Sequence, residues 1–331
     1  MNPGSEEFSR LADPYRRELL AYCYRMLGSL HDAEDQVQET FLRAWKSYDR
    51  FEGRSSLRTW LYRIATNACL RALENRGRRP LPSGLGPPAE DATVPFDRAP
   101  TDVPWLEPIP DALFADEPSP PEDADPAAIV VSRESMRLAL IAALQYLPAR
   151  QRAVLILREV LAWSATETAQ LLDLTVPAVN SLLQRARERL QRVGPVEGGL
   201  AEPTEPERRE LLDRYAAAFA AADVDALTAL LADDAVYEMP PQPVWFAGRS
   251  MIGTFFATHV FLGPDTAITL VPTAANGQPA AASYRRDTPG GPPRAHSIQV
   301  LTIENGLITH GVSFRDPALF RWFDLPDHLT P

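Results

Sequence analysis

The sequence predicts a multidomain chain. Two all-α segments, the second carrying a helix-turn-helix, are joined by an acidic proline-rich linker and followed by an α+β domain. Three observations carry this. Apolar residues recur at helical spacing over residues 8–79 and again over 133–193. Between them, residues 80–132 hold 13 of the chain's 32 prolines and almost no period. Beyond the Gly/Glu/Pro-rich stretch that ends at Pro206, alternating segments replace the helical period over about 207–326.

In the first segment, Leu11, Tyr15, Leu19, Leu20, Cys23, Tyr24 and Leu27 form one apolar stripe that Gly28 ends. A second helix covers Asp32 to Lys46, with Ala33, Val37, Phe41, Ala44 and Trp45 inward. Ser55 or Ser56 caps a third, whose core side is Leu57, Trp60, Leu61, Ile64, Ala65, Ala68, Cys69 and Leu73. It ends in the basic tail Arg76-Gly77-Arg78-Arg79. Cys23 and Cys69 lack metal-ligand spacing and read as small core hydrophobes in a reducing compartment.

The linker contains one cluster that a solvated tether does not need, WLEPIPDALF, with Trp105, Leu106, Ile109 and Phe114. Its expected use is docking on a neighbouring domain. After it, Ser164 followed by Glu167 is a capping box that opens a short helix. The helix breaks at Asp173-Leu174-Thr175, and Thr175 caps the next, with Pro177 tolerated in its first turn. That second helix puts Val179, Leu182, Leu183, Ala186 and Leu190 on one face. Asn180, Ser181, Gln184, Arg185, Arg189 and Arg192 lie on the other. Two short helices, a tight turn and a basic second helix describe a DNA reader.

In the last segment, helices at about 207–222, 224–232 and 249–258 accompany strands at Ala235–Met239, Ile268–Val271, Ala280–Arg285 and around 297–301. Asn305-Gly306 then turns the chain into Leu307–Phe314, a hairpin signal. Helices packed on a curved antiparallel sheet are expected.

Charge divides along the same lines. The net −11 would argue against nucleic acid, but residues 1–79 carry +3 and 133–193 carry +4, while the linker carries −10 and 194–331 carry −8. Phosphate contact is sensible only for the two basic helical blocks. There is no long apolar run and no basic-then-apolar leader, so neither a membrane span nor a secretory signal is expected, and the cytoplasm is the expected location.

The stretches DAEDQVQETFLRAWKSYDRF (Asp32–Phe51), SLRTWLYRIATNACLRALENRGRR (Ser56–Arg79) and Leu147–Leu190 together resemble the extracytoplasmic-function group of bacterial RNA polymerase sigma factors. The resemblance implies that the first is the core-polymerase-binding helix of region two. It implies that the second melts and reads the minus-ten element, and that the third is region four, which reads the minus-thirty-five element. Carried over by position, Asp35, Gln38, Glu39 and Leu42 are contacts to core RNA polymerase. Arg58, Trp60, Tyr62, Arg63, Asn67 and Arg71 contact promoter DNA, with Asn67 at the family's base-pocket position. Trp60 reads equally well as core. In region four, Asn180, Ser181, Arg185 and Arg187 are the matching DNA contacts. Arg185 suits bidentate contact to guanine. Many relatives are basic where this chain has Asn180 and Leu182, which implies weaker phosphate affinity here.

The C-terminal segment resembles the SnoaL-like branch of the nuclear-transport-factor-two-like fold, a cone-shaped α+β domain that some sigma factors of this group carry. WLEPIP is similar to the Trp-Leu-Pro-type linker motif of such chains. The apolar cluster is expected to make an intramolecular contact between linker and C-terminal domain through Trp105, Leu106 and Phe114, and the resemblance implies a pocket, with an unknown small ligand as a candidate occupant. Tyr237, Glu238, Trp245, His259, Tyr284, His296 and His310 are the polar candidates for that pocket. No catalytic residue, metal or cofactor is assigned. The competing readings are a helix-turn-helix regulator with a ligand-binding domain, which leaves residues 8–79 without a purpose, and a tethered isomerase or cyclase, which needs an acid/base pair the sequence does not single out.

Overall fold

The computed structural model describes residues 3–53, 55–74, 77–96, 99–100, 102–114, 135–193, 205–261, 268–286 and 290–330. Arg76, Arg98, the end of the linker (115–134) and the connector 194–204 lie outside the described residues. The chain divides into two compact units, Met1–Arg79 with Ala112–Val196, and Pro80–Asp111 with Glu197–Pro331.

Among the described residues the first unit is all-helical. The stripe read from Leu11 to Leu27 is two helices, α1 (Pro3–Ala12) and α2 (Arg16–Leu27), with a 3-10 turn between them at Asp13–Tyr15. Pro14 sits in that turn, where its missing amide and fixed φ interrupt the helical ladder. The break rotates α1, so Phe8 and Ala12 are buried while Leu11 is exposed, against expectation. Gly28, at φ 68°, closes α2 with its N–H on the Tyr24 carbonyl, a left-handed position that costs glycine little. Ser29 Oγ then accepts the Asp32 amide and starts α3 (Leu30–Ser47).

On α3 the buried residues are Leu30, Asp32, Ala33, Val37, Thr40 and Ala44, and the period of the last four carries Leu42 and Trp45 outward. Trp45, expected inside, is 48% exposed, and Leu42 is 45% exposed. Ser56 Oγ accepts the Thr59 amide at the head of α4 (Leu57–Glu74). Cys23 and Cys69 are both buried, as small core residues. Among the described residues, the unit continues with α5 (Leu138–Leu144), α6 (Ala149–Leu155) with a π turn to Val160, α7 (Ala165–Leu172) and α8 (Val176–Val193). Both halves of the capping box form: Ser164 Oγ accepts the Glu167 amide, and Glu167 Oε2 accepts the Ser164 amide. These bonds hold the Glu167 carboxyl below its ordinary pKa. Asp173 takes a left-handed φ of 53° to make the turn.

The second unit is a six-stranded sheet in the order β2-β1-β6-β5-β4-β3, with α9 (Glu205–Ala220), α10 (Val224–Ala229) and α11 (Arg249–Phe255). The strands are β1 (Leu231–Glu238), β2 (Trp245–Ala247), β3 (Ile268–Ala275), β4 (Gln278–Arg285), β5 (Arg294–Glu304) and β6 (Leu307–Phe314). The sheet is mixed, not antiparallel throughout: β1 runs parallel to β6. β1 is the earliest strand, and with β6 already hairpinned onto β5 it fills that edge beside a strand far along the chain. One face of the sheet buries Tyr237, Leu301 and Ile303 against Phe219, Phe255 and Phe256. The other carries Ala282, Ile298, Val300 and Phe314, with Tyr284 at 5.2 Å from the Phe320 ring.

Candidate functional site

Three surfaces in the first unit carry the predicted contacts. On α3, Asp35 and Gln38 are exposed, Leu42 and Trp45 stand beside them, and Glu39 is half-buried in an i,i+4 pair with Arg43. An exposed leucine and tryptophan one turn apart, next to acidic and amide groups, are what a protein partner covers.

The second surface is a groove between α3 and α4. Trp60, Ile64, Asn67 and Arg71 follow one another at helical spacing along α4, and Arg43, Lys46 and Ser47 face them from the end of α3. The groove has a volume of about 460 Å³. It offers a tryptophan, a side-chain amide with both donor and acceptor, and three cations. These are the groups that hold an unstacked base and its phosphates. Trp60 also stacks on Phe51 at 4.8 Å, so it serves the core and the groove together. Arg43 and Lys46 were not singled out from sequence, although two cations in the last turns of a helix beside Asn67 were there to be read.

The other side of α4 is different. Tyr62 is fully buried, 5.2 Å from Tyr22 on one side and 5.2 Å from Trp163 on the other. Its expected role as a DNA contact is corrected here: its position on α4 faces α2 and the residues before α7, so it packs as core. Arg58 lies over the rings of Tyr62 and Trp163 and donates to Glu18 at 3.0 Å. Burial alone would disfavour its charge, but Tyr62 and Glu18 more than offset this and hold its pKa above the ordinary value. Arg63 donates to Asp173, in the turn of the helix-turn-helix, at 2.6 Å. Deeper in the same seam, the buried Arg152 donates to the Met26 carbonyl, to Gln145 Oε1 at 2.8 Å and to the Leu147 carbonyl at 3.1 Å. Burial brings its pKa down to about 10, still cationic at neutral pH.

The third surface is the outer face of α8. Asn180, Ser181, Arg185 and Arg187 are all exposed, while Val179, Leu183 and Ala186 are buried. Arg185 is folded back on its own helix, donating to the Ser181 carbonyl and hydroxyl, each at 3.2 Å. Arg187 is held by Glu159 at 2.6 Å.

In the second unit, residues 80–111 lie on the C-terminal domain. Ser83 donates its amide to Glu238 Oε2 at 2.7 Å, and the other oxygen of that carboxylate bonds His310 at 2.8 Å. Trp245 Nε1 donates to the Gly86 carbonyl, and the Ala89 amide to the Trp245 carbonyl. Ile109 and Asn276 exchange bonds through the Ile109 amide, the Asn276 Oδ1 and both backbones. Leu106 is 1% exposed and Ile109 fully buried, whereas Trp105 and Phe114 are half-buried. Phe114 falls in the first unit.

Of the seven polar pocket candidates, Tyr237, His259 and His296 line one cavity together. Glu238 and His310 are paired with each other, Trp245 binds the linker, and Tyr284 lies on the opposite face of the sheet, donating to the Pro326 carbonyl. Among the described residues no group of side chains is arranged to hold a metal ion, and no helix is long and apolar enough to cross a membrane.

Comparison with known proteins fits this arrangement. Residues 11–79 match the family model for Sigma-70 region 2, residues 137–190 that for Sigma-70 region 4, and residues 212–311 that for a SnoaL-like domain. The chain is 51% identical over 324 residues to the ECF RNA polymerase sigma factor SigG of Mycobacterium tuberculosis, covering 98% of this chain and 85% of that protein. It is 32% identical over 187 residues to ECF RNA polymerase sigma factor SigW of Bacillus subtilis, 56% of this chain and 88% of that one. In fold it is similar to the crystal structure of the Mycobacterium tuberculosis extracytoplasmic function sigma factor SigJ, with a TM-score of 0.58 at 23% identity over 98% of this chain and 99% of that one.

Proposed function

Because the chain belongs to the extracytoplasmic-function RNA polymerase sigma factors, we propose a division of promoter recognition among its three surfaces. The α3 face with Asp35, Gln38, Glu39 and Leu42 docks on core RNA polymerase. The α3/α4 groove takes one unstacked base of the minus-ten element against Trp60 and Asn67, with Arg43, Lys46 and Arg71 on the flanking phosphates. The outer face of α8 reads the minus-thirty-five element, with Arg185 on a guanine edge and Asn180, Ser181 and Arg187 beside it. The single observation that carries the reading is the groove, where an opening of about 460 Å³, an aromatic, an amide and three cations coincide.

Trp163 and Asp173 of region four lie against Tyr62, Arg58 and Arg63, so this seam has to part before the basic flank of α4 meets DNA. The linker's hydrogen bonds to Glu238, Trp245 and Asn276 support a regulatory role for the C-terminal domain, with no catalytic step assigned to it. The test is reconstituted transcription with purified core enzyme and the full chain. Leu42→Arg is expected to weaken capture by core enzyme, because it puts a charge where an apolar contact is buried. Trp105→Ala is expected to raise the radius of gyration in small-angle scattering. Tight, sequence-specific binding of the chain alone to intact duplex would instead favour the ordinary-regulator reading.

A further inference from the structure

The cavity of the C-terminal domain has a composition that the promoter reading does not use. Along a strand, every second residue shares a face, and on this sheet the shared face is polar at one end. Ser283 lies opposite Ser297, and Gln299 opposite Ser313, in adjoining strands. Two residues beyond Ser283 and Ser313 come Arg285 and Arg315, and both reach the same cavity. Tyr237 joins them from β1, next to Gly311, where any Cβ would come within 2.8 Å of its ring. The opposite wall is aromatic: Phe219, Phe255, Phe256 and, from the linker, Phe96.

None of the described residues lining this cavity is Asp or Glu. Two guanidinium groups therefore converge with four neutral hydroxyls and an amide. Arg315 is held below its ordinary pKa by burial first and then by the like charge of Arg285. His259 Nε2 is buried there without a hydrogen-bond partner. Its ring lies 4.5 Å from that of Phe96. A buried imidazole nitrogen left unbonded costs stability that a ligand atom can recover.

The Phe96 ring is the linker's contribution to the cavity wall. It packs on Phe246 at 6.2 Å and Phe255 at 5.9 Å, and Thr258 Oγ1 donates to the Ala92 carbonyl just upstream. With Phe96 in place the free space is about 60 Å³, enough for a few waters and less than a ring needs. A planar guanidinium fork matches a planar carboxylate, and stacked rings favour a flat apolar body. We propose that this cavity binds a small monocarboxylate with a flat apolar body, its carboxylate held by Arg285 and Arg315 and its body displacing the Phe96 ring. Binding then frees the 89–96 segment of the linker from the domain, so ligand and linker compete for one aromatic wall. The inference does not depend on how the two DNA-reading surfaces divide the promoter.

The test is fluorine NMR on the full chain with para-fluorobenzoate and its neutral isostere para-fluorobenzamide. The acid is expected to bind about tenfold tighter than the amide. Arg315→Gln should remove that preference by weakening the acid about tenfold and the amide far less, and Arg285→Gln serves as the second variant if the first fails to fold. Phe96→Ala should tighten binding of both probes several-fold, because it removes the competitor for the wall. Equal affinity for acid and amide overturns the proposal, as does failure of the acid to bind both the wild-type chain and Phe96→Ala. Weaker binding of the acid by Phe96→Ala overturns the displacement of that ring.

Discussion

The two long faces of α4 use similar residues to opposite ends. Trp60, Ile64, Asn67 and Arg71 line an open groove. Arg58, Tyr62 and Arg63, interleaved with them, are engaged by Glu18, Trp163 and Asp173. Each face offers aromatic and cationic groups, and composition does not distinguish them. The neighbour decides: α3 stops short of the first face with its own cations, whereas Trp163 and the helix-turn-helix close over the second. A helix that rests one face against its partner block can thus keep the other face open.

The largest expected effect comes from removing the cover. Trp163 is 6% exposed, and Trp163→Ala is expected to cost about 3–5 kcal/mol in urea unfolding; a loss within error would mean the covered face is not packed core. Next, Asn67→Ala on the open face is expected to cost about 1–3 kcal/mol in open-complex stability, read by permanganate reactivity of the melted strand. Tyr62→Phe should leave that reactivity unchanged, and equal defects would erase the distinction between the faces. Arg185→Ala sharpens the comparison with a third, fully open surface. It is expected to cost about 1–3 kcal/mol of upstream-element affinity in polymerase footprinting without changing melting. Ser164→Ala removes the capping box below Trp163 and is expected to cost about 1 kcal/mol in thermal unfolding. Since Glu167 is bonded as the carboxylate and titrates low, its share of that cap is present above its unfolded pKa and lost as pH falls through the folded one. Smallest is the Arg63–Asp173 pair, with both side chains largely in water. A double-mutant cycle with Arg63→Ala and Asp173→Ala is expected to return about 0.2–1 kcal/mol.

Features written in a few adjacent residues were legible in the sequence. The capping box at Ser164, the stop at Gly28 and the turn at Asn305-Gly306 all form where their chemistry puts them. An equal signal, Asn276-Gly277, with both residues at positive φ, turns β3 into β4 and was there to be used. What escaped depends on partners far along the chain. The three-residue β2 has too short an alternation to stand out, and the parallel β1–β6 pairing joins strands about seventy residues apart. Trp45 and Tyr62 carry the same kind of side chain, one exposed and one buried, because helix packing sets which side faces out. In the candidate sites, Asn67 and Arg71 were legible by position. Arg43, Lys46, Phe96, Arg285 and Arg315 were not, since each acquires its meaning only from the residues across a groove or cavity.

Glu238 gives the linker a further property. Its carboxylate is 1% exposed and divides its two oxygens between His310 of the sheet and the Ser83 amide of the linker. Lifting the linker away leaves one oxygen of a buried carboxylate without its donor, a cost of about 1–3 kcal/mol or more. Residues near Ser83 and the β1–β6 strands should therefore open as one cooperative unit, with matched amide hydrogen-exchange protection. A segment that reads as a tether is, in this respect, part of the sheet's own folding unit.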